Sequence, residues 1–145
     1  MNSTLRLHYQ RQLIYAGLDD FNPNSVFPNY LGGESGGNRL AWRREVVNFL
    51  DIGVGCGLLA ILNWNNLFSP LVLKDVKFAL SGNRVSEAGL VDEDIIWNSL
   101  YFFGTESLIH DLDRFGLLKW GSLLDTENLK FLDFIQEKYK IELGV

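Results

Sequence analysis

Cysteine and histidine are scarce in this chain of 145 residues, which has one Cys (Cys56) and two His (His8 and His110). A lone cysteine cannot close an internal disulfide, which excludes a disulfide-stapled secreted scaffold and fits a reducing, cytoplasmic setting. One Cys and two His also fall short of the four ligands that a closed tetrahedral zinc module requires. Cations are outnumbered, 13 Lys+Arg against 18 Asp+Glu for a net charge of −5. A nucleic-acid binder works by displacing counterions with clustered cations, so that class is disfavoured. Long apolar runs are missing too. The nearest, Val46 to Trp64, is interrupted by Asn48, Asp51, Asn63 and three glycines. An Asp at the centre of a membrane span costs about 3 kcal/mol, so this run reads as a core segment and no membrane helix is expected. Met1-Asn2-Ser3-Thr4-Leu5-Arg6 lacks the basic start and apolar run of a secretory signal. No self-similarity at a period of about 20–50 residues is present, which removes solenoids and propellers.

What is present suits one globular domain spanning residues 1–145. Hydrophobic residues make up 47% of the chain and charged residues 21%. Leu5-Arg6-Leu7-His8-Tyr9-Gln10 alternates as a half-buried strand would, while Leu13, Ile14 and Leu18 suit a helix ended near Gly17; residues 4–16 are open between the two. Residues 19–38 form a long connection rich in Gly, Pro and Asn, of the length that is often functional or disordered. Asn38 then caps a helix with Leu40, Trp42, Val46, Val47, Phe49 and Leu50 on one half of its wheel. Ser69-Pro70 begins another that Gly82 closes, and Asp92 caps a third running through Ile95, Ile96 and Leu100 to Gly104. Thr105 starts a helix with a stripe at Leu108, Ile109, Leu112 and Phe115. Asp125 caps the last, where Leu129, Phe131, Leu132, Phe134, Ile135, Tyr139 and Ile141 cover over half the circumference and predict a central position. The expected fold is mainly α, a bundle of about five helices with a short N-terminal strand or hairpin. An α+β arrangement is the alternative.

Three local patterns carry candidate chemistry. Leu50-Asp51-Ile52-Gly53-Val54-Gly55-Cys56-Gly57 resembles the first motif of S-adenosylmethionine-dependent methyltransferases, a strand running into D-x-G-x-G-x-G and a helix. That resemblance implies a cofactor site at Asp51, Gly53, Gly55 and Gly57, with Asp75 placed for the ribose hydroxyls. The other reading of the run is a buried helix with small-residue contacts, in which each glycine costs about 1 kcal/mol. Gly33-Glu34-Ser35-Gly36-Gly37 is similar to the nucleophile elbow of serine hydrolases, although Pro28 spoils the strand that should precede it. A flexible loop is the better account. Glu106, His110 and Asp113 fall at i, i+4 and i+7, a spacing that binds a divalent metal or simply forms a solvated face. Cys56, among apolar neighbours, reads as a buried inert thiol.

Charge distribution is the stronger signal. Residues 1–50 are net +1 and residues 51–145 net −6. Within residues 87–113 stand seven acids (Glu87, Asp92, Glu93, Asp94, Glu106, Asp111 and Asp113) and no Lys or Arg. Acids in a first helical turn gain about 0.3–1 kcal/mol from the helix dipole, which accounts for residues 92–94 but not for the missing cations. An uncompensated acidic surface attracts a basic partner, with Trp97, Tyr101, Phe102 and Phe103 interleaved to supply an exposed anchor or two. The small size, the acidity and the runs Asp92-Glu93-Asp94-Ile95-Ile96-Trp97, Glu106 and His110-Asp111-Leu112-Asp113 resemble the immunity proteins of bacterial contact-dependent inhibition and polymorphic-toxin systems. The resemblance implies stoichiometric neutralisation of a basic toxin domain, often a nuclease, by Glu87, Asp92, Glu93, Asp94, Glu106, His110, Asp111 and Asp113. On this expectation the protein is a cytoplasmic binding protein with no cofactor and no catalytic centre. A reduced methyltransferase-like domain and a phage or mobile-element adaptor are the alternatives.

Overall fold

The computed structural model describes residues 2–68, 75–81 and 93–143. The protein is mainly helical with a small antiparallel pair of strands, as the sequence predicts. In order, the described elements are α1 (Asn2–Leu18), α2 (Arg39–Cys56), β1 (Leu59–Ile61), α3 (Trp64–Leu67), α4 (Val76–Leu80), α5 (Glu93–Ser99), β2 (Phe102–Gly104), α6 (Glu106–Arg114) and α7 (Leu129–Tyr139). The expected cap at Ser69-Pro70, the stop at Gly82 and the cap at Asp92 lie outside the described residues.

Residues 4–16 are helical, and α1 is the central element. It packs against α6, against β2 and against the 3-10 turn Trp120–Leu124. Leu5, Tyr9, Leu13, Ile14 and Ala16 are buried along it, and so are two glutamines, Gln10 and Gln12. Those polar side chains disguise the helix in the sequence, because they occupy positions where a surface helix would be wet. Each is satisfied by backbone. Gln12 Oε1 accepts the Phe27 amide at 3.1 Å; Gln10 donates to the Thr126 carbonyl at 3.0 Å and accepts the Asn128 amide at 2.7 Å.

The long connection at residues 19–38 is part of the core rather than a loose loop. Phe21, Val26 and Phe27 are buried, and the indole N–H of buried Trp42 donates to the carbonyls of Val26 and Phe27. Phe21 exchanges two backbone hydrogen bonds with Phe102, extending the edge of the sheet. The glycine run serves this compaction. Gly32 and Gly33 adopt positive φ (84° and 64°), and a Cβ on Gly36 would lie 2.3 Å from the Leu31 carbonyl oxygen.

The strands sit later than the N-terminal pair expected. β1 and β2 pair antiparallel with Leu59 opposite Gly104 and Ile61 opposite Phe102. Residues 102–104, expected at the end of a helix, are therefore extended; three residues are too few to show alternation in a sequence. The last helix begins after Asn128, whose side chain accepts the Phe131 amide, and not at Asp125. It buries only the stripe Phe131, Leu132 and Ile135, with Leu129 56% exposed. Contrary to expectation, α7 is peripheral and the polar-looking α1 is central.

Helix α2 continues through Gly53 and Gly55 to Cys56, where Gly57 (φ 91°) turns the chain and donates its N–H to the Gly53 carbonyl. Gly53 lies under Leu59, whose Cδ1 would be 2.5 Å from an added Cβ, whereas Gly55 faces open space. These two positions give substitutions of opposite sign. Gly53→Ala is expected to destabilise by about 1–3 kcal/mol through overpacking. Gly55→Ala is expected to stabilise by up to about 1 kcal/mol through helix propensity. Urea unfolding of both variants checks the pair.

Candidate functional site

Helix α6 is built as its apolar stripe predicts. Thr105 caps it by accepting the Leu108 amide, and Leu108 and Leu112 are fully buried. Glu106, His110 and Asp113 occupy the opposite face, and all three are exposed. Two of the candidate acids, Glu87 and Asp92, lie outside the described residues. Among the described residues, no group of three or more His, Cys, Asp or Glu is arranged to hold a metal ion.

The remaining acids are not equivalent, and the expectation of a wholly uncompensated patch is corrected. Asp111 is buried, 1% exposed. Both of its carboxylate oxygens accept from Lys138 Nζ at 2.9 Å, and Oδ2 also accepts from the Tyr139 hydroxyl at 2.7 Å. Ser107 Oγ completes the cluster against the Tyr139 hydroxyl and Lys138. Charge-assisted bonds to two donors satisfy a carboxylate that burial would otherwise penalise. Asp111 therefore ties α6 to α7 and is not displayed to a partner. The sequence held the signal: Asp111 is three residues after Leu108 and so falls on the apolar side of the helix.

Glu93 is likewise engaged from within. Its carboxylate accepts from Arg43 Nη1 at 2.8 Å, and Asp94 lies 4.0 Å from Nη2 of the same guanidinium. Arg43 also stacks over Trp97, 4.2 Å from the ring centroid, and Trp97 packs against Trp42 with centroids 5.8 Å apart. The cations missing from residues 87–113 are supplied by α2 and α7, which sequence distance concealed. Of the interleaved aromatics, Trp97 and Phe102 are buried, and Tyr101 and Phe103 are partly so. The surface that remains acidic comprises Glu106 and Asp113 on α6, beside His110; Asp94 on α5, although its side chain is 80% exposed, is paired with Arg43. Ile95, half exposed, is the apolar side chain next to Asp94.

The other candidate patterns take structural roles. Residues 51–56 are helical, so the strand-to-helix turn of a methyltransferase cofactor motif is not formed there. Asp51 lies 3.8 Å from Lys77, and Asp75 caps α4 by accepting the Phe78 amide. Ser35 ends a 3-10 turn, Gly33–Ser35, not a strand-to-helix elbow. Cys56 is half-buried, and burial pushes its thiol above the ordinary value, which disfavours the reactive thiolate. Among the described residues, no helix is long and apolar enough to cross a membrane.

The Asp111 cluster predicts a stability effect with a defined pH dependence. Its hydrogen bonds to Asp111 hold the Lys138 ammonium above its ordinary value of 10.5. The protonated form is favoured in the folded state, so its contribution is complete below 10.5 and is lost as pH rises through the higher folded-state value. Lys138→Met is expected to cost about 1–3 kcal/mol at neutral pH, since it leaves buried Asp111 with Tyr139 as its remaining donor. Urea titrations of both proteins should show that gap holding up to 10.5 and closing above it. No protein family, curated protein or solved structure matches this chain.

Proposed function

We propose that this protein is a non-enzymatic binding protein that neutralises a basic protein partner, in the manner of an immunity protein blocking its cognate toxin. The observation that carries the reading is the outward face of α6. Glu106, His110 and Asp113 stand in line on it, while Leu108, Leu112 and the Asp111–Lys138 bond fix the helix from behind. A helix anchored from behind needs no backbone ordering to present its carboxylates, which lowers one cost of binding. They attract a cationic surface at long range and can stand in for phosphate against a nuclease's cations. Glu93 and Asp111 support the surface from below, through Arg43 and Lys138.

The test screens the proteins encoded on either side of this one for binding and takes a basic one that binds as the partner. The account expects a stable stoichiometric complex whose association rate falls as salt is raised. Reversing two charges, in Glu106→Lys with Asp113→Lys, should lower that rate by at least about tenfold and leave the melting temperature within the small range typical of surface changes. Asp111→Asn should instead lower the melting temperature. A complex indifferent to both salt and charge reversal would overturn the assignment to α6.

A further inference from the structure

A cleft of about 420 Å³ opens on the side of α1 that carries His8, Arg11 and Tyr15, a size within the range of small-molecule sites. Its walls come from two irregular segments. Phe27 belongs to the folded connection at residues 19–38, and Leu123 and Leu124 to the 3-10 turn before α7. None of its lining side chains is an Asp or Glu. Asp19 and Asp20 act electrostatically on Tyr15 at one end, and Asp125 follows Leu124 at the rim.

Arg11 is the unusual member. Its Nε is shielded from solvent and has no hydrogen-bond partner among the described residues. Its Nη2 makes one long contact, 3.5 Å, to the Asp125 carbonyl. A guanidinium offers five donors in a planar fork that matches a carboxylate, and most of these are unused here. The His8 ring lies tilted against Phe27 and Tyr30, with centroids 6.5 Å and 5.4 Å away. Burial, and then the charge of Arg11, lower its proton affinity below the ordinary 6.5, so it is neutral at pH 7 and offers one N–H. The cleft thus presents one full positive charge beside the apolar Tyr15, Leu123 and Leu124, with Gln12, Ser25 and Asn29 as neutral polar members of the lining. The rim carries exposed apolar side chains: Leu124 is 85% exposed and Trp120 53%, the latter set edge-on to Tyr15 at 5.6 Å.

We infer that this cleft binds a small monocarboxylate with an apolar aliphatic or aromatic body, its carboxylate on Arg11 and its body against Tyr15, Leu123 and Leu124. A single guanidinium beside a neutral imidazole matches one negative charge, not the two of a phosphate monoester. The cleft shares no residue with the outward face of α6, and its test is independent of any protein partner.

The full chain is titrated with octanoate and with 2-naphthoate, each beside its neutral amide, following the backbone amide signals of Tyr15 and Phe27 by NMR. Both signals should move with the carboxylates, and the amides should bind at least about tenfold more weakly. Arg11→Gln should abolish the difference between acid and amide. Leu124→Glu, a change at an exposed rim position, should weaken carboxylate binding by repulsion even where the first variant folds poorly. Amides binding as well as acids, unmoved signals, or unchanged carboxylate binding in Leu124→Glu would each overturn the proposal.

Discussion

Two buried glutamines on the central helix hold the rest of the molecule in place. Gln12 fixes the Phe27 amide, and through it the connection at residues 19–38, against α1. Gln10 fixes Thr126 and Asn128, and with them the entry to α7. Both side chains are almost wholly removed from solvent, so the partners they satisfy have little recourse to water. Leaving such a group unpaired costs about 1–3 kcal/mol, a large share of a small domain's net stability. Irregular segments cannot supply their own ladders of backbone hydrogen bonds, and here a helix side chain supplies the missing partner to each.

From that constraint the functional surfaces follow. Because Gln10 sets Asn128, and Asn128 caps α7, Lys138 and Tyr139 arrive where Asp111 needs them, and α6 is fixed with Glu106, His110 and Asp113 facing out. Because Gln12 and Gln10 hold two separate loops within one turn of the same helix, a gap remains between those loops. That gap is the cleft over His8, Arg11 and Tyr15. The acidic face and the cleft are thus both consequences of how α1 arranges segments that have no regular structure of their own.

The sequence makes some of this plain and hides the rest for physical reasons. Helix α6 is legible because its stripe and its Thr105 cap are local features within one element. The start of α2 at Asn38 is legible too, although the Asn38 side chain makes no capping bond. α1 is obscure because buried glutamines look like solvent-facing ones until their backbone partners are known. The strand at residues 102–104 is obscure because it is short and its partner lies some forty residues earlier in the chain, at Leu59–Ile61. The apparent lack of cations at residues 87–113 misleads for the same reason, since Arg43 and Lys138 reach Glu93 and Asp111 from distant elements. Composition located the charge correctly along the chain but could not say which acids are already neutralised. The glycine motifs mislead differently: Gly53 and Gly57 are needed for Leu59 packing and a helix stop, which D-x-G-x-G-x-G cannot distinguish from a cofactor turn.

Amide hydrogen exchange in Gln12→Leu and Gln10→Leu tests the central role of these two side chains most directly. The account predicts that the Phe27 amide exchanges quickly in the first variant while Asn128 stays protected, and that the second variant reverses the pattern, because each glutamine holds one segment. Protection unchanged at both amides in both variants would contradict it.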